Sequence, residues 1–133
     1  MNSKSLEVMD YLKGKTVSNV VIDAAHVRSG IYQIKIHFED SLKHLIMYAA
    51  GDCCSCSWFE TLNGVPFDTL KGKKIKNIVT KETIEMPPSA VQECDANHLI
   101  EIEFDNDSEN FKFVLRNSSN GYYDGWLELS LAS

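Results

Sequence analysis

Four cysteines and four histidines carry most of the reactive side chains of this 133-residue sequence. Three thiols crowd into the run Asp52-Cys53-Cys54-Ser55-Cys56, and the fourth is Cys94. Cys53 and Cys56 with Cys94 and His98 would make a chemically sound tetrahedral zinc set. A long strand-like stretch separates the two pairs, which weighs against a compact zinc knuckle. Cys53 or Cys54 could instead act as a nucleophile, with His26, His37, His44 or His98 as base and Asp52 as orienter. A vicinal thiol pair suits that role poorly, because the second sulfur traps the oxidised form of the first. Asp105, Asp107 and Glu109 alternate in a manner that suits a hard cation, but the rest of a high-affinity calcium loop is missing. The expectation is therefore no metal, no cofactor and no catalytic residue. A thiol- or zinc-dependent enzyme using Cys53 or Cys54 with a histidine is the alternative function. The sequence shows no secretory segment, so the thiols are expected to be reduced.

A second polar cluster, RNSSNGYYDGW at 116–126, offers recognition chemistry. An exposed tyrosine beside amides and a guanidinium combines stacking area with directional hydrogen bonds. Arg116, Asn117, Asn120, Tyr122 and Tyr123, with Asp52 and Ser55 from the first cluster, are the expected binding residues. The competing reading is a pair of elaborate turns whose Asn and Ser side chains satisfy their own backbone. Trp58 and Trp126 end the two clusters and are expected to anchor them in the core, with a cost of ~3–5 kcal/mol for Trp126→Ala.

The segments that must position these residues are strands. IYQIKIHF at 31–38 puts Ile34, Ile36 and Phe38 on one face, and LIEIEFD at 99–105 does the same with Ile100, Ile102 and Phe104. FKFVL at 111–115 and WLELSL at 126–131 alternate likewise. Period-two alternation marks half-buried antiparallel strands. EDS at 39–41 and DNDSEN at 105–110 are expected to be hairpin loops. Residues 3–12 form the one helix, capped by Ser3 or Ser5 and stopped at Gly14. Pro87 and Pro88 predict a loop over 84–97.

The chain also repeats itself. Leu12, Lys13, Gly14, Lys15, Asn19 and Val21 recur in order as Leu70, Lys71, Gly72, Lys73, Asn77 and Val79. Ile34-x-Ile36-x-Phe38 recurs as Ile100-x-Ile102-x-Phe104, and 45–60 aligns on 113–128 with Trp58 on Trp126. The expectation is a mainly β domain over 1–133 (α+β at most) with a short N-terminal helix. It would be an antiparallel β-sandwich or half-open barrel, internally duplicated as 12–61 and 70–129.

Composition excludes several functions. The net charge is −6, which leaves no global basic surface, so a nucleic-acid partner is not expected. Charge is nonetheless segregated. Lys71, Lys73, Lys74, Lys76 and Lys81 cluster together, and the following stretch to Asn110 holds acids but no Lys or Arg. Such polarity can steer a charged partner. No apolar run approaches the ~20 residues of a membrane span, so no membrane role is expected.

The motifs resemble a known family. Asp52, Cys53, Cys54, Ser55, Ser57 and Trp58, then Arg116 through Tyr123, Gly125 and Trp126, match the DCCS-x-SW and RNSSNGYY-x-GW blocks of small phage, prophage and large-virus proteins catalogued as a domain of unknown function. Cys56 occupies the variable position. The resemblance covers roughly residues 12–130. It implies a viral or mobile-element origin and carries no activity. The function expected is therefore binding in the cytoplasm of a host cell. The partner would be a host protein or a small metabolite, and the effect would be to blunt a host defence.

Overall fold

Alternation in the sequence becomes strand nearly everywhere. The computed structural model describes residues 3–24, 30–39, 41–52, 55–89, 91–92, 94–105, 109–121 and 125–133. The helix α1 spans Ser3–Leu12, and a 3-10 turn spans Phe67–Leu70. The strands are β1 (Val17–Ala24), β2 (Ile31–Phe38), β3 (His44–Gly51), β4 (Cys56–Thr61), β5 (Ile75–Thr83), β6 (Cys94–Phe104), β7 (Phe111–Ser119) and β8 (Gly125–Ala132).

In α1, Val8 and Leu12 lie four residues apart and so share a face, which is buried against β5 and β8. Gly14 ends the helix at a φ of 79°, a conformation that glycine adopts without strain. The side chains of Ser3 and Ser5, named above as caps, lie outside the described residues.

All strand pairs are antiparallel and form two four-stranded layers, β1-β2-β3-β8 and β5-β6-β7-β4. The layers join where Ile31 of β2 lies opposite Phe59 of β4, and Thr16 before β1 bridges Lys74 before β5, so the whole is one curled half-barrel. The inward face carries Ile34, Ile36, Met47, Phe59, Ile100, Ile102 and Phe113, each fully buried. Phe113 and Phe59 meet edge to face at 5.4 Å, and Phe67 packs on both Phe113 and Phe111.

Strand pairing repeats along the chain. Val17 pairs with Phe38 and Asn19 with His37, with a bulge between them. Ile75 pairs with Phe104 and Asn77 with Glu103, with a bulge at the same place. Ile34 faces Ile22 and Met47, as Ile100 faces Thr80 and Phe113. Thr16 bridges Lys74, its own counterpart. Lys15 N donates to Leu12 O and Lys73 N to Leu70 O, and Gly72 has the φ of Gly14, at 81°. β4 pairs with β7, and β8 with β3. Trp58 therefore stands opposite Arg116, and Trp126 opposite Ala50.

Several expectations are corrected. The gapless match of 45–60 to 113–128 slips by two residues at the third strand, where Met47 corresponds to Phe113 and Ala50 to Arg116. The extra length falls in the loop that follows instead. Residues 84–97 are not all loop, because β6 begins at Cys94. β7 runs on from Leu115 to Ser119, since its polar end finds ladder partners on both sides. Of the two expected loop segments, Cys56 onward is strand and the chain through Ser119 is strand. Trp126 is 45% exposed and is no core anchor. The alternation that turns Leu127, Leu129 and Leu131 inward turns Trp126 outward.

Phe59→Ala is expected to destabilise the protein by about 3–5 kcal/mol, because Phe59 fills the junction of the layers. Urea unfolding checks this; an unchanged midpoint would show that the junction contributes nothing.

Candidate functional site

The polar residues at the end of β7 lie among strands and not in a free loop. On the outer face of the second layer, Asn97, Arg116 and Trp58 form a row across β6, β7 and β4. Arg116 is 6% exposed. Its Nε donates to Asn97 Oδ1 at 3.1 Å, Nη1 to Glu60 Oε2 at 3.0 Å and Nη2 to the Pro87 carbonyl at 2.6 Å. Asp95 lies 3.7 Å from Nη2. The guanidinium carbon stands 5.5 Å from the centre of the Trp58 ring, and Trp58 Nε1 donates to the same Glu60 oxygen at 2.8 Å. A buried guanidinium is costly unless every donor is met and its charge balanced, and here two carboxylates and an aromatic face do both.

Residues 84–92 lie across this row as a strap. Ser89 donates to Asp95 from both its backbone and its hydroxyl, at 2.8 and 2.6 Å. Gln92 N donates to Ser118 Oγ at 2.9 Å. Burial alone would raise the Asp95 pKa. Hydrogen bonds from Ser89 and Ser118 and the charge of Arg116 outweigh it and hold the carboxyl below its ordinary value.

On the inner face, Asn117 is 2% exposed and donates to Ser57 Oγ at 2.9 Å. A Cβ on Gly125 would lie 2.4 Å from Ser57 Oγ and 2.6 Å from Asn117 Nδ2, so a side chain there would force the Ser57–Asn117 pair apart. This contact places the start of β4, the end of β7 and the start of β8 together.

Burial takes Arg116 and Asn117 out of the expected recognition patch, because both satisfy neighbouring strands. Asp52 and Asn120 are exposed. Ser55 is half-buried, and its hydroxyl donates to the Asp52 carbonyl at 2.9 Å, closing a local turn. Tyr122 and Tyr123 lie outside the described residues, as do Cys53, Cys54, His26 and Asp107.

The thiol readings meet a geometric obstacle. Cys56 pairs with Ser118 and Cys94 with Ser119, adjacent positions of one strand, so the two thiols face opposite sides of the sheet and cannot share an ion. Both are free cysteines. Among the described residues no group of three metal-ligating side chains converges. His37 and His44 stack at 4.5 Å at the far end of β3, roughly 23 Å of strand from the 52–55 loop. Burial, then His37 and Lys35, hold the His44 pKa below its usual value.

The corresponding face of the first layer is open. There Trp126, Tyr48 and Glu128 point outward from β8 and β3, and Tyr48 is 39% exposed. Tyr32 stands edge-on to Tyr48 at 6.3 Å. This surface is absent from the expected binding residues, although the inward Leu127, Leu129 and Leu131 already imply it.

A family model described as a domain of unknown function, DUF7448, matches residues 10–126. The chain belongs to the DUF7448 family. It is 51% identical over 96 residues, covering 72% of this chain and 75% of the relative, to an uncharacterized protein of Acanthamoeba polyphaga mimivirus. The family thus reaches into large viruses. No solved structure matches this DUF7448 chain. Among the described residues no helix is long and apolar enough to cross a membrane.

Arg116→Met is expected to lower stability by about 3–5 kcal/mol, since it leaves Glu60 and Asp95 without their cation; urea unfolding measures it, and a neutral result would show that the row is not structural. A carboxyl whose folded pKa is lowered stabilises the fold above its unfolded value of about 4, and that contribution is lost as pH falls below it. The stability gap between wild type and Asp95→Asn is therefore expected to be widest above about pH 5 and to close towards about pH 3. A gap that stays constant with pH would refute the role given to Asp95.

Proposed function

We propose that this viral protein acts by binding a partner in the cytoplasm of the infected cell, through the outer face of β3 and β8. The observation that carries this reading is the exposed pair Trp126 and Tyr48. Large aromatic rings are concentrated where protein surfaces meet, because they combine contact area with low entropy loss. In the second layer the corresponding face is closed by Arg116 and the strap at 84–92. In the first layer it presents rings to solvent.

The repeated registers, the self-paired Thr16 and Lys74, and the matching turns at Gly14 and Gly72 support reading 12–61 and 70–129 as two copies of one unit. On that reading one copy keeps the closed, structural face and the other has been freed for recognition. A host protein is the partner favoured here, because the face is broad and open and suits a protein better than an enclosed small metabolite. A consequence for the host, such as blunting a defence, follows from the viral family and from that partner.

Trp126→Ala is expected to shift stability by no more than about 1 kcal/mol, as for an exposed residue. The variant should lose a host-lysate protein that both wild type and Val65→Ala retain in a pull-down; Val65 is a comparably exposed apolar residue on another surface. Identical retention by all three proteins would remove this face as the interaction surface.

A further inference from the structure

The two layers present the same box with different contents. In the closed box the indole of Trp58, the carboxylate of Glu60 and the side chain of Arg116 form one unit. The guanidinium lies over the ring and donates to the carboxylate, which also accepts from the indole N–H. In the open box Trp126 and Glu128 occupy the same places two residues apart on β8, and the strand position opposite Trp126 is Ala50. The ring and the carboxylate are retained, and the guanidinium between them is gone.

We propose that the open box of Trp126, Glu128 and Tyr48 receives an arginine side chain from a protein partner, in the place that Arg116 fills in the other layer. The argument rests on four observations. The first is geometric. Strand register puts Ala50, a covered residue, where Arg116 stands, so the chain places no cation of its own beside Trp126 and Glu128. The second is electrostatic. Glu128 is exposed, no hydrogen bond or ion pair joins it to a described residue, and the protein as a whole carries −6. A cation is attracted from a distance and finds an acceptor on arrival. The third is the added ring. Tyr48 pairs with Glu128 at the place where Val114 pairs with Glu60, so the open box has a second aromatic face that the closed one lacks. A cation between two rings is held by both quadrupoles. The fourth sets the choice of arginine. The planar guanidinium can stack on the indole and donate to Glu128 in one geometry, as Arg116 does on Trp58 and Glu60, and a lysine ammonium cannot reproduce that fork.

This proposal rests on the reading of the same face as the interaction surface, and its test separates the two. The full chain, labelled with nitrogen-15, has two tryptophans and hence two indole N–H signals; Trp126→Phe assigns them. The probes are the blocked tripeptide Gly-Arg-Gly and its citrulline counterpart, which has nearly the same shape and no charge. The arginine peptide is expected to move the Trp126 signal saturably in the millimolar range or below and to leave the Trp58 signal in place, because Arg116 already fills that site. The citrulline peptide should bind at least about tenfold more weakly, as should the arginine peptide to Glu128→Gln. Ala50→Arg should fill the box from within. It should shift the Trp126 signal before any peptide is added and abolish the response to peptide. Equal responses to the two peptides, no saturable shift of the Trp126 signal, or an undiminished response in folded Ala50→Arg would each overturn the proposal. A lysate protein lost with Trp126→Ala, in the absence of any preference for arginine over citrulline, would keep the face as an interface and overturn arginine as what it reads.

Discussion

A guanidinium held at 6% exposure must be neutralised where it stands, and much of the second layer is arranged around that requirement. Arg116 sits in the middle strand of three. It draws Asn97 from one neighbour, Trp58 and Glu60 from the other, and the Pro87 carbonyl from the strap above. The strap is held by Asp95, which shares the cation. The continuous burial of β7 from Phe113 to Ser119 follows, because its inner face meets the core and its outer face meets the strap. A strand of this composition would otherwise turn its polar end towards water.

Strand β4 connects this network to the rest of the molecule. β4 carries Phe59 inward, to the junction of the layers, and Trp58 and Glu60 outward, to Arg116. One six-residue strand thus takes part in the hydrophobic core on one side and the ion network on the other. Strand β8 gives Leu129 to the core and Trp126 and Glu128 to the opposite surface. The starts of β4 and β8 and the end of β7 meet where Gly125 lies against Ser57 and Asn117, and a side chain at Gly125 would displace that pair.

The two halves differ where similarity of pairing makes difference informative. Their inward residues do the same work, with Ile34 and Ile36 matched by Ile100 and Ile102, since each half has the same kind of face to bury. Their outward residues diverge. Arg116 and Val114 on one side stand against Ala50 and Tyr48 on the other. Outward positions are free of the core's packing requirement, so the chemistry that distinguishes the halves collects there. The reading of a closed structural face and an open recognition face depends on that contrast.

The sequence by itself determined the mainly β character, the helix ending before Gly14, and the inward residues of β2 and β6. Each follows from local periodicity, which needs no knowledge of what lies across the sheet. The same alternation even fixed which way Trp126 points, although a preference for burying tryptophan concealed it. Tertiary structure alone decided that β4 pairs with β7 and β8 with β3, because register is a relation between distant strands and leaves no mark within either one. It decided, for the same reason, that Arg116 and Asn117 are buried. A run of Arg, Asn and Ser after an apolar strand has the composition of a loop, and it remains strand only because Trp58, Asn97 and the strap arrive from three other parts of the chain to meet its polar groups.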